Sequence, residues 1–230
     1  MKAVTSIGFT RIARQQYCIA TWQSKGLEVV AVQAPGETER LKPYFPGVRF
    51  KEKELPSTNI FSKDTPTIYS LVKQANEENE SILLINSDIS IKDRCSQFAK
   101  DWANEPKTFH IGIRQDSMPG SRRRHKQKWG IDAFKISPEM AQDIPDLGFR
   151  IGCPGWDFWI VYYFHLLGYS VKVTQSQLFH ELHPIGWVKA DQVAYRNMIS
   201  EKYKVAHDML PSFILDITNR RDVTQFSYPK

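Results

Sequence analysis

The chain has 230 residues, of which 41% are hydrophobic and 24% are charged. This balance is typical of a soluble globular protein and excludes the disordered, collagen-like and membrane-spanning classes, while the length predicts one domain over residues 1–230. The formal net charge of +6 favours an anionic partner without selecting one.

Neither membrane insertion nor secretion is indicated by the apolar segments. None approaches the roughly 18 residues that cross a bilayer, and residues 1–9 lack the long apolar stretch of a signal peptide. We therefore expect a cytoplasmic protein without a transmembrane segment. Cys18, Cys95 and Cys153 are widely spaced and form no Cys-x-x-Cys pair, which predicts buried thiols.

The amino-terminal part of the chain predicts strands that alternate with helices. Residues 2–9 predict a short strand that ends at Gly8, residues 11–25 a helix, and residues 27–34 a buried strand closed by a Pro-Gly pair. Continuous apolar strands between helices indicate a mainly parallel sheet that is covered on both faces.

The next segments lead to the clearest strand of the sequence. We expect a strand over 48–52, a polar loop over 53–64 and a helix over 66–79. Residues 82–85 are all apolar and predict a strand. At its carboxyl end, where ligands bind in open α/β sheets, stand three polar residues: Asn86, Ser87 and Asp88.

The middle of the chain continues the alternation. We expect a helix over 93–104, a strand over 109–115, a loop rich in Gly and Arg over 117–130, and a strand over 131–137.

The remaining elements are predicted from caps and apolar runs. Ser137 as N-cap and Pro138 at the first helical position predict a short helix. Residues 155–168 predict a buried aromatic helix, and residues 171–184 a last strand with a His-rich turn. The polar sequence from about residue 220 predicts a loose tail.

Four segments resemble, in their order and spacing, a group of bacterial and viral GT-A-like glycosyltransferases. They are INSDI (85–89), GIDAFKIS (130–137), IPD…IGCPGWDFW (144–159) and LFHELHPIGW (178–187), and the resemblance covers residues 3–190. It implies an α/β fold, with a central mixed, mainly parallel, Rossmann-like sheet flanked by helices.

The same resemblance implies a function. It implies transfer of a sugar from a nucleoside-diphosphate sugar, such as a UDP- or GDP-sugar, to a hydroxyl of a glycan, lipid or small molecule, with no stable nucleic acid partner. Two alternatives remain open: a nucleotidyltransferase or phosphate hydrolase on a similar fold, and a basic module that binds nucleic acid.

A metal site is implied at the end of the 82–85 strand. The family commonly carries an Asp-x-Asp motif there, whereas this chain has Asn86, Ser87 and Asp88, with only the last carboxylate. A divalent cation, Mn²⁺ or Mg²⁺, would neutralise the leaving diphosphate. Asp88 is thus the best ligand candidate, but a strand-end turn and weak metal dependence both remain open.

His180 and His183 are candidates to complete this site, since the resemblance implies a carboxyl-terminal metal ligand. A neutral imidazole binds a divalent cation, and the sequence does not decide which of the two does so. The alternative for the other is a hydrogen-bonded histidine beneath the Trp187 loop. No helical His-Glu-x-x-His or cysteine pair supports a zinc motif.

Two carboxylates are candidate catalytic residues. By resemblance, Asp157 contacts the acceptor hydroxyl as a base, while its position at a helix start is also typical of an N-cap. The two interpretations are compatible. Asp132 lies near the sugar pocket by the same resemblance, or is a turn residue.

The nucleotide is expected at the amino-terminal strands. Gly8 would let a base or ribose approach the backbone, and Gln33 and Glu37 would hydrogen-bond it. Arg11 and Arg14 are candidates to reach the diphosphate, or belong to a solvated helix face.

Further positive charge is expected near the phosphates. Arg114 is one candidate. The basic run 122–128 has three interpretations: a lid over the diphosphate, a dock for an anionic acceptor or membrane, or a solvated loop. Nucleic-acid binding by this run is less favoured, because the aromatic residues lie in a predicted core helix and do not interleave with it.

Overall fold

The computed structural model describes residues 1–56, 60–91, 105, 108–119, 124–184, 186–204, 209–219 and 222–223. Within these residues, nine strands form one sheet that helices flank on both faces.

The strands and helices are numbered in chain order. The strands are β1 Lys2–Thr5, β2 Glu28–Gln33, β3 Val48–Glu52, β4 Ile82–Ile85, β5 Ile89–Ile91, β6 Thr108–Ser117, β7 Arg124–Ile136, β8 Ser170–Glu181 and β9 Asp222–Val223. The helices are α1 Ile12–Gln23, α2 Thr38–Leu41, α3 Ile68–Val72, α4 Gln74–Glu78, α5 Pro138–Asp143, α6 Trp156–Leu166, α7 Lys189–Tyr203 and α8 Met209–Asn219, with a 3₁₀ turn at Lys42–Tyr44.

The sheet is mixed and mainly parallel. Its strand order is β3-β2-β1-β4-β7-β6-β8-β5, with β9 on β8. Neighbours from β3 to β4 are parallel, as are β6 and β8, whereas β7, β5 and β9 are antiparallel to the strands beside them. The predicted α/β fold with a Rossmann-like sheet is therefore confirmed.

Both faces of the central strands are buried, which explains their continuous apolar sequence. On one face, side chains such as Val4 and Leu84 pack against α3 to α8; on the other, Ala3 and Leu83 pack against α1 and α2. The indole of Trp22 on α1 donates to the carbonyl of Ile89 at 2.8 Å, which fixes α1 against β5. This contact holds β5 beside the end of β4.

Several local predictions hold in the structure. The Ser137 hydroxyl caps α5 by accepting from the Met140 amide at 3.3 Å, and Pro138 is its first residue. Trp159 and Phe164 are buried, so α6 is a core helix as predicted. Cys18 and Cys153 are buried free thiols, whereas Cys95 lies outside the described residues.

Other segments differ from the prediction. The expected helix over 66–79 is two short helices, α3 and α4. The loop expected over 117–130 is wrong from residue 124 onward, because the backbone pairs with β6 there across two register shifts and needs no apolar pattern to do so. The helix expected over 93–104 lies outside the described residues.

Two described residues near the end of the chain are paired with the sheet. Asp222 and Val223 pair with Lys172 and Val171 of β8, inside the segment predicted as a loose tail. As for membranes, the helices that the structure describes are all too short or too polar to span one.

Candidate functional site

A cleft of about 860 Å³ opens at the carboxyl ends of β1 and β4. The loop 6–11, the turn 86–88, the start of α6 and the segment 180–187 contribute to its walls. Because β1 and β4 are parallel neighbours, the loops that follow them meet at the same edge of the sheet. The cleft therefore lies where open α/β sheets bind their ligands.

Asp88, His180 and His183 converge in this cleft. The Asp88 carboxylate oxygen Oδ2 lies 3.0 Å from Nε2 of His183 and 3.6 Å from Nε2 of His180. Strand pairing produces this approach, since Ile89 is opposite His180 in the β5–β8 register. Each residue offers one ligand atom, and these atoms lie within 4.8 Å of one another. The three residues can hold a metal ion.

The hydrogen bonds behind the imidazoles orient them toward that point. Nδ1 of His180 lies 3.1 Å from the Asp116 carboxylate, and Nδ1 of His183 lies 2.8 Å from the Pro184 carbonyl. Both partners only accept, so we assign a hydrogen to each Nδ1, which leaves the Nε2 lone pair of each neutral ring directed at Asp88. Lone pairs directed at a carboxylate favour a proton or a metal ion between the two groups.

The pKa shifts reflect the contacts between these groups in the metal-free protein. Burial disfavours the charged forms of Asp88 and His180, but their hydrogen bonds outweigh it. Contacts with His180 and His183 hold the pKa of Asp88 well below its usual range, and contacts with Asp116 and Asp88 raise the pKa of His180. Without a metal, a proton on His180 therefore pairs with Asp88.

A second group of side chains supports the site from β6 and β7. Arg114 donates to Asp116 at 2.8 Å and to Asp132 at 2.6 Å, and Asn86 donates to the other oxygen of Asp132 at 2.6 Å. Burial disfavours the charged guanidinium, but Asp132 and Asp116 raise the pKa of Arg114, so it stays charged. Arg114 and Asp132 line the cleft with their charges already paired.

Asp157 faces the cleft from the first turn of α6. The N-cap of α6 is Gly155, so the N-cap interpretation of Asp157 is wrong, although its carboxyl still lies beside the first backbone amides. Gly155 has φ +87°, and a Cβ there would lie 2.4 Å from the Tyr195 ring. Burial, with the nearby Asp132 charge, raises the pKa of Asp157 to about 7.

The amino-terminal candidates separate into two sets. Gly8, Arg11 and Glu37 line the cleft. Gln33 does not: its buried amide accepts from the Ile7 amide at 2.7 Å and donates to the Ile7 carbonyl at 2.8 Å, which holds the loop from behind.

Arg11 adopts an uncommon backbone conformation beside the metal candidates. It has φ 55° and ψ 40°, in the left-handed region that few residues other than glycine occupy. Its Nη2 lies 3.7 Å from Oδ2 of Asp88. Arg14 is not part of the cleft wall and lies 5.3 Å from the ring centroid of Tyr17.

Ser87 lines the cleft and is fixed by Gln15. The Ser87 hydroxyl donates to the Gln15 amide oxygen at 2.7 Å, and that oxygen also accepts from the Gly8 amide at 3.0 Å. Gln15 thereby joins the loop after β1 to the turn after β4.

That the basic run 122–128 forms a lid over the diphosphate stays a prediction. Residues 122–123 lie outside the described residues, and residues 124–128 belong to β7.

Sequence reasoning missed several residues of the site. Asp116 follows Arg114 at the two-residue spacing of a strand, which was a usable signal that the two share a face. Tyr195 and Arg196 line the cleft from α7, a helix that was not predicted. The four-residue spacing of Asp191, Tyr195 and Ile199 was its signal.

Comparison with known proteins shows the fold. No protein-family model and no curated protein matches the sequence. A solved chain from Bacillus anthracis, described as a glucose-1-phosphate thymidylyltransferase in complex with a sucrose, has a TM-score of 0.52 and 9% identity, over 89% of this chain and 96% of that one. The two chains share a Rossmann-like fold. At this identity the similarity concerns architecture alone.

Proposed function

We propose that this protein is a metal-dependent glycosyltransferase that moves a sugar from a UDP- or GDP-sugar to a hydroxyl acceptor. The observation that carries the proposal is the convergence of Asp88, His180 and His183 at the carboxyl edge of the sheet, inside a cleft of about 860 Å³. Each imidazole is oriented by a hydrogen bond on its other nitrogen, as in metal sites.

The donor atoms favour a transition metal. One carboxylate oxygen and two imidazole nitrogens suit first-row ions such as Fe²⁺ and Zn²⁺ and, with lower affinity, Mn²⁺, whereas Mg²⁺ prefers oxygen ligands and retained waters. When bound, the ion supplies positive charge that stabilises the leaving diphosphate. Arg11, 3.7 Å from Asp88, adds a guanidinium on the same side of the cleft.

Asp157 supports a hydroxyl acceptor. A carboxyl with its pKa near 7 is suited to remove a proton from a hydroxyl as the bond to the sugar forms. A phosphate nucleophile is already ionised at neutral pH and needs no such base. Asp132, whose two oxygens accept from Asn86 and Arg114, positions these groups.

A nucleotidyltransferase is the second candidate, and the fold similarity to the Bacillus anthracis chain favours it. Such an enzyme would join a nucleoside triphosphate to a sugar phosphate and release pyrophosphate. Both candidates use a nucleotide and a metal at the same edge of the sheet. Their substrates therefore distinguish them.

The first experiment is a thermal-shift panel of UDP, GDP, CMP, dTDP and their sugar conjugates, each with and without MnCl₂. We expect one diphosphate to raise Tm, and Mn²⁺ to increase the shift in wild type but not in Asp88→Ala. A flat panel with folded protein contradicts the proposal.

A turnover assay then separates the two candidates. Release of nucleoside diphosphate from the stabilising sugar nucleotide supports the glycosyltransferase. Release of pyrophosphate from a nucleoside triphosphate and a sugar 1-phosphate, without turnover of sugar nucleotides, supports the nucleotidyltransferase.

A further inference from the structure

α7 forms a part of the cleft wall that the proposed donor and metal site leaves unused. Gln192, Tyr195 and Arg196 all line the cleft. Gln192 and Arg196 are four residues apart and share one helix face. We propose that this wall binds the acceptor through an anionic group, a carboxylate or a phosphate, held by Arg196; the inference rests on the proposed glycosyltransferase function.

Each of the other cationic side chains of the cleft has a partner among the described residues. Arg11 lies 3.7 Å from Asp88, Arg114 is bound by Asp116 and Asp132, and Lys63 donates to the Gly152 carbonyl at 2.8 Å. Arg196 is exposed, and no carboxylate among the described residues lies within 4.0 Å of its guanidinium. Its charge is thus available to a ligand.

Tyr195 lies beside the candidate base Asp157, on the same wall of the cleft as Arg196. The Tyr195 ring packs against Gly155, two residues before Asp157. The hydroxyl of Tyr195 is buried and has no hydrogen-bond partner among the described residues. A buried hydroxyl without a partner is uncommon, and a polar ligand would satisfy it. An acceptor hydroxyl at Asp157 would therefore place the rest of that molecule beside Tyr195, along the wall that also carries Arg196.

The start of α7 is fixed to the rest of the protein. The Asp191 carboxylate accepts from the Ser62 amide and hydroxyl, each at 2.6 Å, and from the Val188 amide at 3.0 Å. A guanidinium on a fixed helix pairs with planar carboxylates or phosphates through two parallel hydrogen bonds. The donor diphosphate does not require this group, since the metal ion that Asp88, His180 and His183 would hold supplies positive charge to it, with Arg11 nearby.

The test compares acceptors that differ in charge. With the sugar nucleotide selected by the thermal-shift panel as donor, methyl glucoside, glucuronic acid and glucose 6-phosphate are assayed with wild type, Arg196→Gln and the matched control Lys202→Gln. Lys202 is exposed on the same helix and does not line the cleft. Lys202→Gln removes the same net charge.

We expect wild type to prefer at least one anionic acceptor over methyl glucoside. Arg196→Gln should raise the KM for that acceptor about 10-fold or more, and leave the KM for the donor unchanged. Lys202→Gln should behave as wild type. Comparing glucuronic acid with glucose 6-phosphate then distinguishes a carboxylate from a phosphate.

Three results overturn the inference: equal use of charged and neutral acceptors, an equal loss in Lys202→Gln, or a raised donor KM in Arg196→Gln, which would make Arg196 a ligand of the donor phosphates. Saturation-transfer NMR of glucuronic acid and glucose 6-phosphate, recorded without donor, tests the anion subsite separately from the glycosyltransferase function. Binding that depends on Arg196, in protein that binds no sugar nucleotide, supports the anion subsite and contradicts the glycosyltransferase.

Discussion

Charged side chains cluster at both ends of the parallel strands, here called the amino edge and the carboxyl edge of the sheet. The two clusters are paired differently. At the amino edge, Glu78 lies 2.6 Å from Lys2, 2.7 Å from Arg49 and 2.7 Å from Lys51, so that each charge has an opposite partner. These contacts join β1 and β3 to the end of α4. The result is a closed network whose demand for charge is met within the protein.

The carboxyl edge is not matched in this way. Asp88 faces the Nε2 atoms of two imidazoles, with which it could hold a metal ion, and one oxygen each of Asn86 and Asp116 is buried without a hydrogen-bond partner among the described residues. A native fold retains such groups at a cost in stability. The two edges therefore differ in arrangement: ion pairs close the network around Glu78, whereas Asp88, His180 and His183 converge on one point that could hold an ion.

The largest expected effect follows removal of Asp88. Asp88→Ala should reduce transfer by about 100-fold or more, since it removes the carboxylate that would bind the ion. When the Asp88→Ala variant is titrated with Mn²⁺ and binding is followed by electron paramagnetic resonance, no tight Mn²⁺ site should be detected. Glu39→Gln, at an 81% exposed side chain, is the control and should bind normally. Tight Mn²⁺ binding to folded Asp88→Ala would refute the metal site.

Asp157→Asn should lower kcat by about 10²- to 10⁴-fold while Mn²⁺ binding persists. The wild-type rate should fall as the pH drops below about 7, because a carboxyl with its pKa raised to about 7 is protonated there and accepts no proton. A pH-rate profile of kcat/KM tests this, with the exposed Glu201→Gln as control. A flat profile between pH 5.5 and 8 argues against a base of this kind.

Asp116→Asn should weaken Mn²⁺ binding by about 10- to 100-fold, the range for groups that orient metal-bound histidines. Asp116 holds Nδ1 of His180 at 3.1 Å and also pairs with Arg114. Calorimetric titration with MnCl₂ measures the change. If the affinity is unaltered, His180 is not oriented by Asp116 in the bound state.

The smallest effect is expected at the amino edge. Glu78→Gln should lower the free energy of unfolding by about 1 kcal/mol and leave Mn²⁺ binding and turnover unchanged. Hydrogen bonds from Arg49, Lys2 and Lys51 lower the pKa of Glu78 below its ordinary value of 4.5, and the bond from Arg49 has the largest effect. Its contribution is therefore complete at neutral pH and is lost as the pH falls below that value. Urea denaturation of wild type and Glu78→Gln at pH 7 and pH 4 measures the loss of stability and its dependence on pH. A loss of turnover in Glu78→Gln would mean that the two edges are coupled.

Much of the fold could be predicted from local patterns. β1, β2 and β4 are apolar because they are buried on both faces, and α5 carries its own cap and proline. β7 could not be placed in full, because residues 124–130 gain their strand structure from pairing with β6. α7 was missed since its sequence is mostly polar, with a few buried side chains at helical spacing.

The candidate site was predicted less completely. The sequence identified Asp88, His180 and His183 as candidates without choosing between the histidines, and the structure brings both to Asp88. Gln33 has a side chain suited to bind a nucleotide, but its amide is used by Ile7. No local pattern shows which partner a buried amide takes.

The sequence by itself determined the order of the central strands along the chain and the polar turn at the end of β4, because apolar runs and caps act between neighbours in sequence. Only the tertiary structure decided that His183 lies 3.0 Å from Asp88, 95 positions away, and that Arg196 lines the cleft with no carboxylate of the described residues within 4.0 Å of it. Such contacts arise from strand register and helix packing, which join distant segments through a shared core.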